Sequence, residues 1–396
     1  MSTALLGVYE RDLTLVAGKR SRVVDATGRS FLDFAAGIGV SGLGHGDPKV
    51  VAAIRRQAGT LMHLSNLYHN EPASRLAERL VALAFPSRVF FCNSGTEAVE
   101  GAIKFARRVG HAQGRFELLA FERAFAGRSL GALSLTWSPK YREPFEPLVP
   151  GVRFLPWNDL DAAAAAIGER TAAVVIEPVQ GEGGVRPAPA AFLQGLRRLC
   201  DERGALLVCD EVQCGLGRTG KLFAYEHAGI TPDILTLAKP LGGGLPMGAI
   251  LLREEHCAAL HPGEHGSTFG GNPVCAAAAL AVLDRLTSPG FVDGVAKKGA
   301  SLLRGLRRLA RRYPAAIAEA RGLGLMVGAE FKGPAGPVVT GLRERGVLAT
   351  KAGDHVLRLL PPLIVSASEL REFLGALDAV LATGAGSPAR EEAAHG

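Results

Sequence analysis

Ile234-Leu235-Thr236-Leu237-Ala238-Lys239-Pro240-Leu241-Gly242-Gly243-Gly244 is an apolar run that ends in a lysine and then opens into glycine. The apolar part reads as a buried strand, and the glycines read as flexible backbone beyond its end. Lys239 is thereby delivered to the mouth of a sheet. Burying a lone ammonium is costly, so such a lysine is expected to lose its proton or take a covalent partner. A neutral amine there suits linkage to a carbonyl cofactor. A solvated lysine capping the strand would fit the same string, so the neighbouring strands decide.

Leu206-Leu207-Val208-Cys209 is a second short apolar run, and it ends in Asp210-Glu211-Val212-Gln213. Phe90-Phe91-Cys92 runs into Asn93-Ser94-Gly95-Thr96-Glu97, after which Val99, Ala102, Ile103 and Ala106 keep helical spacing. Val174-Val175-Ile176 ends in Glu177-Pro178. In open parallel sheets ligands bind beyond the carboxyl ends of the strands. Here those ends gather a lysine, carboxylates and a hydroxyl–glycine turn.

The chain has 396 residues, 47% of them apolar and 21% charged, with no long like-charge run, so it has room for large cores and reads as ordered. From about Pro48 to Leu283, helical patterns alternate with short apolar runs, the mark of a doubly wound, mostly parallel α/β domain. This large domain is expected over 48–283, with a smaller α+β domain over 284–396 that the N-terminal segment 1–47 joins. Strands are expected at Leu13–Val16, Ser21–Asp25, Ser30–Phe34, Val347–Thr350 and Val356–Leu360, and the tail beyond about Thr383 is expected to be disordered. Helices are expected from Asn70-Glu71-Pro72, with Leu76, Leu80 and Leu83 on one face, and from Pro189 to the glycine stop at Gly204. Ser366 and Glu369 form a capping box for a last helix with Leu370, Leu374, Leu377 and Leu381 on its inner face.

No apolar stretch is long enough for a membrane span, and Met1–Tyr9 lacks the basic start and apolar centre of a signal peptide. The six cysteines are scattered without a CxxC pair or zinc spacing, which points to free thiols in a reducing cytoplasm and to no metal site. The net charge of +7 suits anionic substrates. Arg304, Arg307, Arg308, Arg311 and Arg312 read as a solvated helix face, so neither nucleic acid nor membrane is an expected partner.

A pyridine aldehyde phosphate would use all the clustered groups. Ser94-Gly95-Thr96 opening a helix offers its phosphate backbone N–H groups and a hydroxyl. Asp210 would keep the pyridine nitrogen protonated, and Lys239 would hold the aldehyde and then shuttle a proton as base and acid. Val212 would press on one ring face while Phe125 stacks on the other.

At this point Phe90–Glu100 (FFCNSGTEAVE), Glu177–Gly184 (EPVQGEGG), Asp210–Gly220 (DEVQCGLGRTG), Pro232–Gly244 (PDILTLAKPLGGG) and Gly266–Pro273 (GSTFGGNP) carry a resemblance. The chain resembles a class III aminotransferase of fold type I, and within that group the acetylornithine aminotransferase family, over roughly 7–382. The resemblance implies pyridoxal 5'-phosphate, with Lys239 as the Schiff-base lysine and Asp210 on the pyridine nitrogen. It implies that Gly95 and Thr96 hold the phosphate, and that Phe125, Val212 and Gln213 surround the ring. It further implies a homodimer in which Thr268 reaches the neighbouring subunit's cofactor phosphate, with Ser267 beside bound substrate. Arg358 resembles the anchor for the α-carboxylate of glutamate and 2-oxoglutarate. Arg128 resembles the residue that meets the second carboxylate of that partner or the acylated donor. Glu182 is expected to pair with an arginine when a neutral or amine-bearing substrate is present, then release it for the dicarboxylate.

The implied reaction moves the δ-amino group of N2-acetylornithine to 2-oxoglutarate in arginine biosynthesis. The same pocket type admits succinylornithine, succinyl-diaminopimelate, ornithine, or a lysine or ornithine carried by an acidic amino-group carrier protein. Thr136–Phe145 resembles the carrier-using branch. An aminomutase of the same fold is the more distant alternative. A nicotinamide dehydrogenase is disfavoured because Gly242-Gly243-Gly244 opens no GxGxxG fingerprint. Two departures stand out: Ala126 replaces the histidine of the usual HGR, and Asp47 replaces the second histidine of GHxHP. Ile38 occupies the position where ornithine δ-aminotransferases carry tyrosine, which argues against free ornithine.

Overall fold

The computed structural model describes residues 4–9 and 11–388. Strands β1 (Leu15–Lys19), β2 (Arg22–Asp25) and β3 (Ser30–Asp33) open the chain as an antiparallel meander. There follow β4 (Ser87–Cys92), β5 (Glu117–Phe121), β6 (Val152–Leu155) and β7 (Thr171–Ile176). A short hairpin, β8 (Val179–Gln180) and β9 (Arg186–Pro187), precedes β10 (Leu206–Asp210), β11 (Ile234–Leu237) and β12 (Gly248–Arg253). From β4 to β12, all but the hairpin make one seven-stranded sheet in the order β4-β12-β11-β10-β7-β5-β6. Only β12 runs against the rest, pairing antiparallel with both β4 and β11.

Alternate residues of the inner strands enter different cores. Leu119, Val174, Leu207, Leu235 and Leu251 join one cluster, while Leu118, Ala173, Val208, Ile234 and Ile250 join another. Both faces are therefore covered, which is why these strands read as continuous apolar runs rather than alternating ones. On one face, helix Gly95–Gly110 approaches so closely that a Cβ at Gly101 would lie 2.2 Å from Ile250 Cδ1. On the other, helix Ala190–Arg203 buries Phe192, Leu193, Leu196 and Leu199, and it stops at Gly204 with φ +66°.

A second sheet, β13 (Ile317–Leu323), β14 (Met326–Phe331), β17 (Val356–Leu359) and β16 (Thr350–Ala352), is fully antiparallel. Strand β15 (Val347–Leu348) instead pairs parallel with β3, so the N-terminal strands and the C-terminal half share a sheet. The single strand expected at 347–350 is thus two short ones in different sheets. Caps explain the helix boundaries. Asn70 accepts from Ala73 N at 2.8 Å at the start of helix Glu71–Leu83, and Ser366 and Glu369 form the expected capping box of helix Ala367–Leu381. Phe373 joins Leu370, Leu377 and Leu381 inside and stacks on Phe34 at 4.4 Å. Helix Phe291–Arg312 buries Leu302, Leu306 and Leu309 and leaves its arginines in solvent. The chain just past Thr383 is packed rather than disordered: Ala385 is buried, and Gly333 N donates to Gly386 O at 3.0 Å. The rest of that tail, 389–396, lies outside the described residues. Among the described residues, no single helix is long and apolar enough to cross a membrane.

Candidate active site

The strand ends converge on a cavity of about 270 Å3. Strand β10 ends on Asp210, β7 is followed by Glu177, and Lys239 lies two residues past β11. Lys239 takes φ +39°, a strained value for a side chain-bearing residue that aims its amine into the cavity it lines. After β4, Ser94 caps helix Gly95–Gly110 by accepting from Glu97 N at 3.2 Å. Gly95, Thr96, Phe125, Val212 and Gln213 complete the wall, with Arg128 at its edge.

Burial sets the protonation of the central groups. It lowers the pKa of the Lys239 amine, against the pull of Asp210, Glu182 and Glu177. Burial also raises Asp210, whose Oδ1 accepts from Val212 N at 3.0 Å and Thr236 Oγ1 at 2.9 Å. Those two donors orient the carboxylate, and a cationic ring nitrogen against it would reverse the shift. Glu177 is pushed up to about 8, first by burial and then by Asp210. Its oxygens accept from Phe125 N and Gly181 N, each at 3.0 Å, so it fixes the aromatic wall. In the sequence, the Glu-Pro after an apolar run marks Glu177 as a strand-end carboxylate, but nothing local marks the backbone groups it anchors.

These residues fit a pyridine aldehyde phosphate. At Gly95 a Cβ would lie 2.6 Å from Val212 Cγ1, so only glycine lets helix and ring wall approach this closely. Thr96 Oγ1 accepts from Arg128 N at 3.2 Å and Ser129 N at 3.1 Å and lies 2.7 Å from Ser129 Oγ. With both of its lone pairs engaged, the Thr96 hydroxyl directs its proton to Ser129 Oγ, so the two hydroxyls form one hydrogen-bonded unit at the helix start. Gln213 Oε1 is buried without a hydrogen-bond partner, the state of an acceptor awaiting a donor such as a ring hydroxyl.

Arg358 is 2% exposed and donates through Nη1 to Glu182 and through Nε to Thr350 Oγ1 at 3.2 Å. Arg128 is exposed and lies over the Tyr141 ring, 3.9 Å from its centroid, with Phe125 at 5.6 Å. Nothing local in the sequence marks Tyr141, in the short helix Pro139–Arg142, as an arginine platform. Ser267 and Thr268 lie outside the cavity lining. Ser267 Oγ accepts from Asn93 Nδ2 at 3.2 Å, and Thr268 is exposed. Of the two departures from the family pattern, Asp47 contributes through its side chain, while Ala126 bonds through its backbone alone. Ala126 is buried and donates its N–H to Thr136 Oγ1 at 3.0 Å, and Asp47 caps helix Pro48–Ala58 by accepting from Lys49 N and Val50 N.

Fold and site together define a transferase built to hold a phosphate-bearing aldehyde on a lysine, and the chain belongs to the class-III aminotransferase family, whose profile matches residues 8–381. Among curated relatives it is 49% identical to the acetylornithine aminotransferase of Methanocaldococcus jannaschii, over 95% of both chains. It is 47% identical to that of Rhodobacter capsulatus, over 97% of this chain and 98% of the relative. Among solved structures, N-acetylornithine aminotransferase from Stenotrophomonas maltophilia K279a superposes with a TM-score of 0.83 at 40% identity, covering 95% of this chain and 97% of that one. Ornithine aminotransferase from Toxoplasma gondii ME49 superposes with a TM-score of 0.93 at 32% identity, covering 96% and 93%.

Proposed function

We propose that this enzyme transfers the δ-amino group of N2-acetyl-L-ornithine to 2-oxoglutarate, giving N-acetylglutamate 5-semialdehyde and glutamate, in arginine biosynthesis. The observation that carries the reading is the ion pair between buried Arg358 and half-buried Glu182 beside Lys239. It is a carboxylate anchor with its own internal substitute. Pyridoxal 5'-phosphate is the cofactor, and when bound it supplies an electron-withdrawing ring that spreads charge developing on the substrate carbon. Lys239 Nζ, whose pKa burial lowers, would take the proton from the carbon bearing the donor's amine and return it to the carbon on the far side of that nitrogen. Asp210 keeps the ring nitrogen protonated. The Gly95–Thr96 helix start receives the phosphate. Arg358 receives the α-carboxylate of glutamate or 2-oxoglutarate, with Glu182 closing on it when the acylated donor occupies the pocket. Arg128, set on Tyr141, meets the remaining carboxylate.

A homodimer with shared sites accompanies this reading. Phe269 is 58% exposed beside Thr268, and Leu67 and Tyr68 are 83% and 68% exposed. Asn66 ties the two segments together by donating to Ser267 O at 2.7 Å. Exposed apolar surface of this kind calls for a partner. A reducing cytoplasm suits the six free cysteines. The test is a half-reaction titration: glutamate, N2-acetylornithine, N2-succinylornithine and ornithine are added singly to holoenzyme, and loss of the bound-cofactor absorbance is followed. Glutamate and N2-acetylornithine should bleach it efficiently and ornithine poorly. Preference for ornithine would defeat the proposal.

A further inference from the structure

In the second sheet, Arg321 of β13 and Arg358 of β17 both stand opposite Gly328 of the intervening β14. Residues directly opposite one another share a face, so the two arginines flank one glycine in a single row, their Cα atoms roughly 10 Å apart. Gly328 leaves the space between them open, and the turn joining β8 to β9 fills it. A Cβ at Gly328 would lie 3.0 Å from Val185 Cβ. That turn carries Glu182, the partner of Arg358.

The turn does not hold its shape unaided. Val185 takes φ +52°, in the left-handed region where a β-branched residue is an outlier, and Gly184 before it takes φ +102°. Buried Arg321 supplies the restraint. Its Nη2 donates to Gly184 O at 2.7 Å, and its Nε donates to Gly184 O at 3.0 Å and to Val185 O at 3.2 Å. Nη1 is held by Glu319 at 2.6 Å and by Glu330. Glu330 also accepts from Arg186 Nη2 at 3.1 Å, and Arg186 Nε donates to Gly183 O at 3.2 Å. Three successive carbonyls, Gly183 to Val185, thus end on cations that Glu330 fixes. A strained backbone persists where its surroundings enforce it, and here the enforcing group is a planar fork that a lysine cannot imitate. On its other side the turn abuts the cofactor wall, since a Cβ at Gly181 would lie 2.2 Å from Gln213 Oε1. Glu182 is therefore held between the cofactor wall and the second sheet, within reach of Arg358.

We propose that Arg321 is a positioning residue for the Glu182–Arg358 switch: it holds the Glu182 turn closed on Arg358 and so sets the balance between the two half-reactions. The inference rests on the two-substrate reading above and deepens it. Arg321 meets no substrate; its influence passes through the carbonyls of Gly184 and Val185. Loosening them frees Arg358 for a dicarboxylate more often, because apparent affinity follows the fraction of enzyme in the competent state.

The test compares holoenzymes of the wild type, Arg321→Lys, Glu330→Gln, Glu182→Ala and the Glu182→Ala/Arg321→Lys double variant. Two quantities are measured: calorimetric binding of glutarate, an unreactive dicarboxylate, and the ratio of single-turnover rates with glutamate and with N2-acetyl-L-ornithine. Arg321→Lys should bind glutarate about fivefold more tightly and shift the ratio about fivefold toward glutamate, the scale of one hydrogen bond. Glu330→Gln leaves the arginine in place but loosens its mooring. It should shift both quantities the same way by less, and it carries the test if Arg321→Lys yields no holoenzyme. In the Glu182→Ala background Arg321→Lys should add less than about twofold to either quantity, because groups that act through one another are not additive. A clamp that served stability alone would lower the melting temperature and leave the ratio as it was. Unchanged glutarate binding and ratio in these variants, or equal shifts with and without Glu182, would overturn the inference while leaving the Glu182 switch standing. If Glu182→Ala itself changes neither quantity, or N2-acetyl-L-ornithine fails to react with the wild type, the underlying reading falls and this inference with it.

Discussion

Glu182, in the turn between β8 and β9, and Arg358, in β17, meet as an ion pair in which the arginine is almost wholly buried. Two elements far apart in sequence thus place a carboxylate on the group that must later hold a substrate carboxylate. Removing Glu182 frees Arg358 permanently. Glu182→Ala should therefore favour the glutamate half-reaction over the acylated-donor half-reaction. Single-turnover rates for the two, measured separately, check this, and an unchanged ratio would refute the switching role.

Arg358→Lys keeps the charge and loses the forked geometry. Losing one charge-assisted hydrogen bond is worth about 1.5–3 kcal/mol, or roughly 10- to 100-fold in kcat/KM for 2-oxoglutarate. Titration with 2-oxoglutarate and with N2-acetylornithine should show the larger loss for the former.

Gly95→Ala would drive a methyl into Val212 and push that side chain toward the ring site. Overpacking of this kind costs about 1–3 kcal/mol. The expected result is a folded protein that retains pyridoxal 5'-phosphate more weakly, measured by dialysis and reconstitution.

Glu211 is buried and its pKa is raised to about 8, chiefly by burial, while its oxygens accept from Ala224 N at 2.6 Å and Tyr225 N at 2.7 Å. Its folded value lies above the ordinary 4.5. Between those two pH values the folded chain holds a proton that the unfolded chain has released, so this group's contribution to stability declines as pH rises through the window. Thermal unfolding of the apoenzyme at pH 5 and pH 8 should show the decline, and Glu211→Gln should make it shallower. A slope as steep in the variant would exclude Glu211 as its source.

What the sequence disclosed follows the reach of each signal. The ends of β10 and β11, the caps at Asn70, Ser366 and Gly204, and the Ser94 helix start are local, and all are found where the strings place them. The insertion of antiparallel β12 between β4 and β11 rests on pairing between distant segments, which no window of sequence carries. The same holds for the split of 347–352 between two sheets at Ala349. Lys239, Asp210, Gly95, Thr96, Phe125, Val212 and Gln213 do line one cavity. Glu177 is legible as a strand-end carboxylate, but its anchoring role is not, because its partners, Phe125 N and Gly181 N, are set by loops whose paths depend on the finished sheet.

The central claim is that the Lys239 amine, set at the strand end beside Asp210 and Glu177, is the point of attachment for the aldehyde. Borohydride reduction of the purified holoenzyme, followed by peptide mapping, tests it directly. The account predicts a yellow protein whose reduced cofactor is recovered on the peptide containing Lys239, and a Lys239→Ala variant that binds cofactor without that label and loses at least roughly 10²- to 10⁴-fold in turnover. A colourless protein after incubation with pyridoxal 5'-phosphate, or a label on any other lysine with position 239 unmodified, would contradict it.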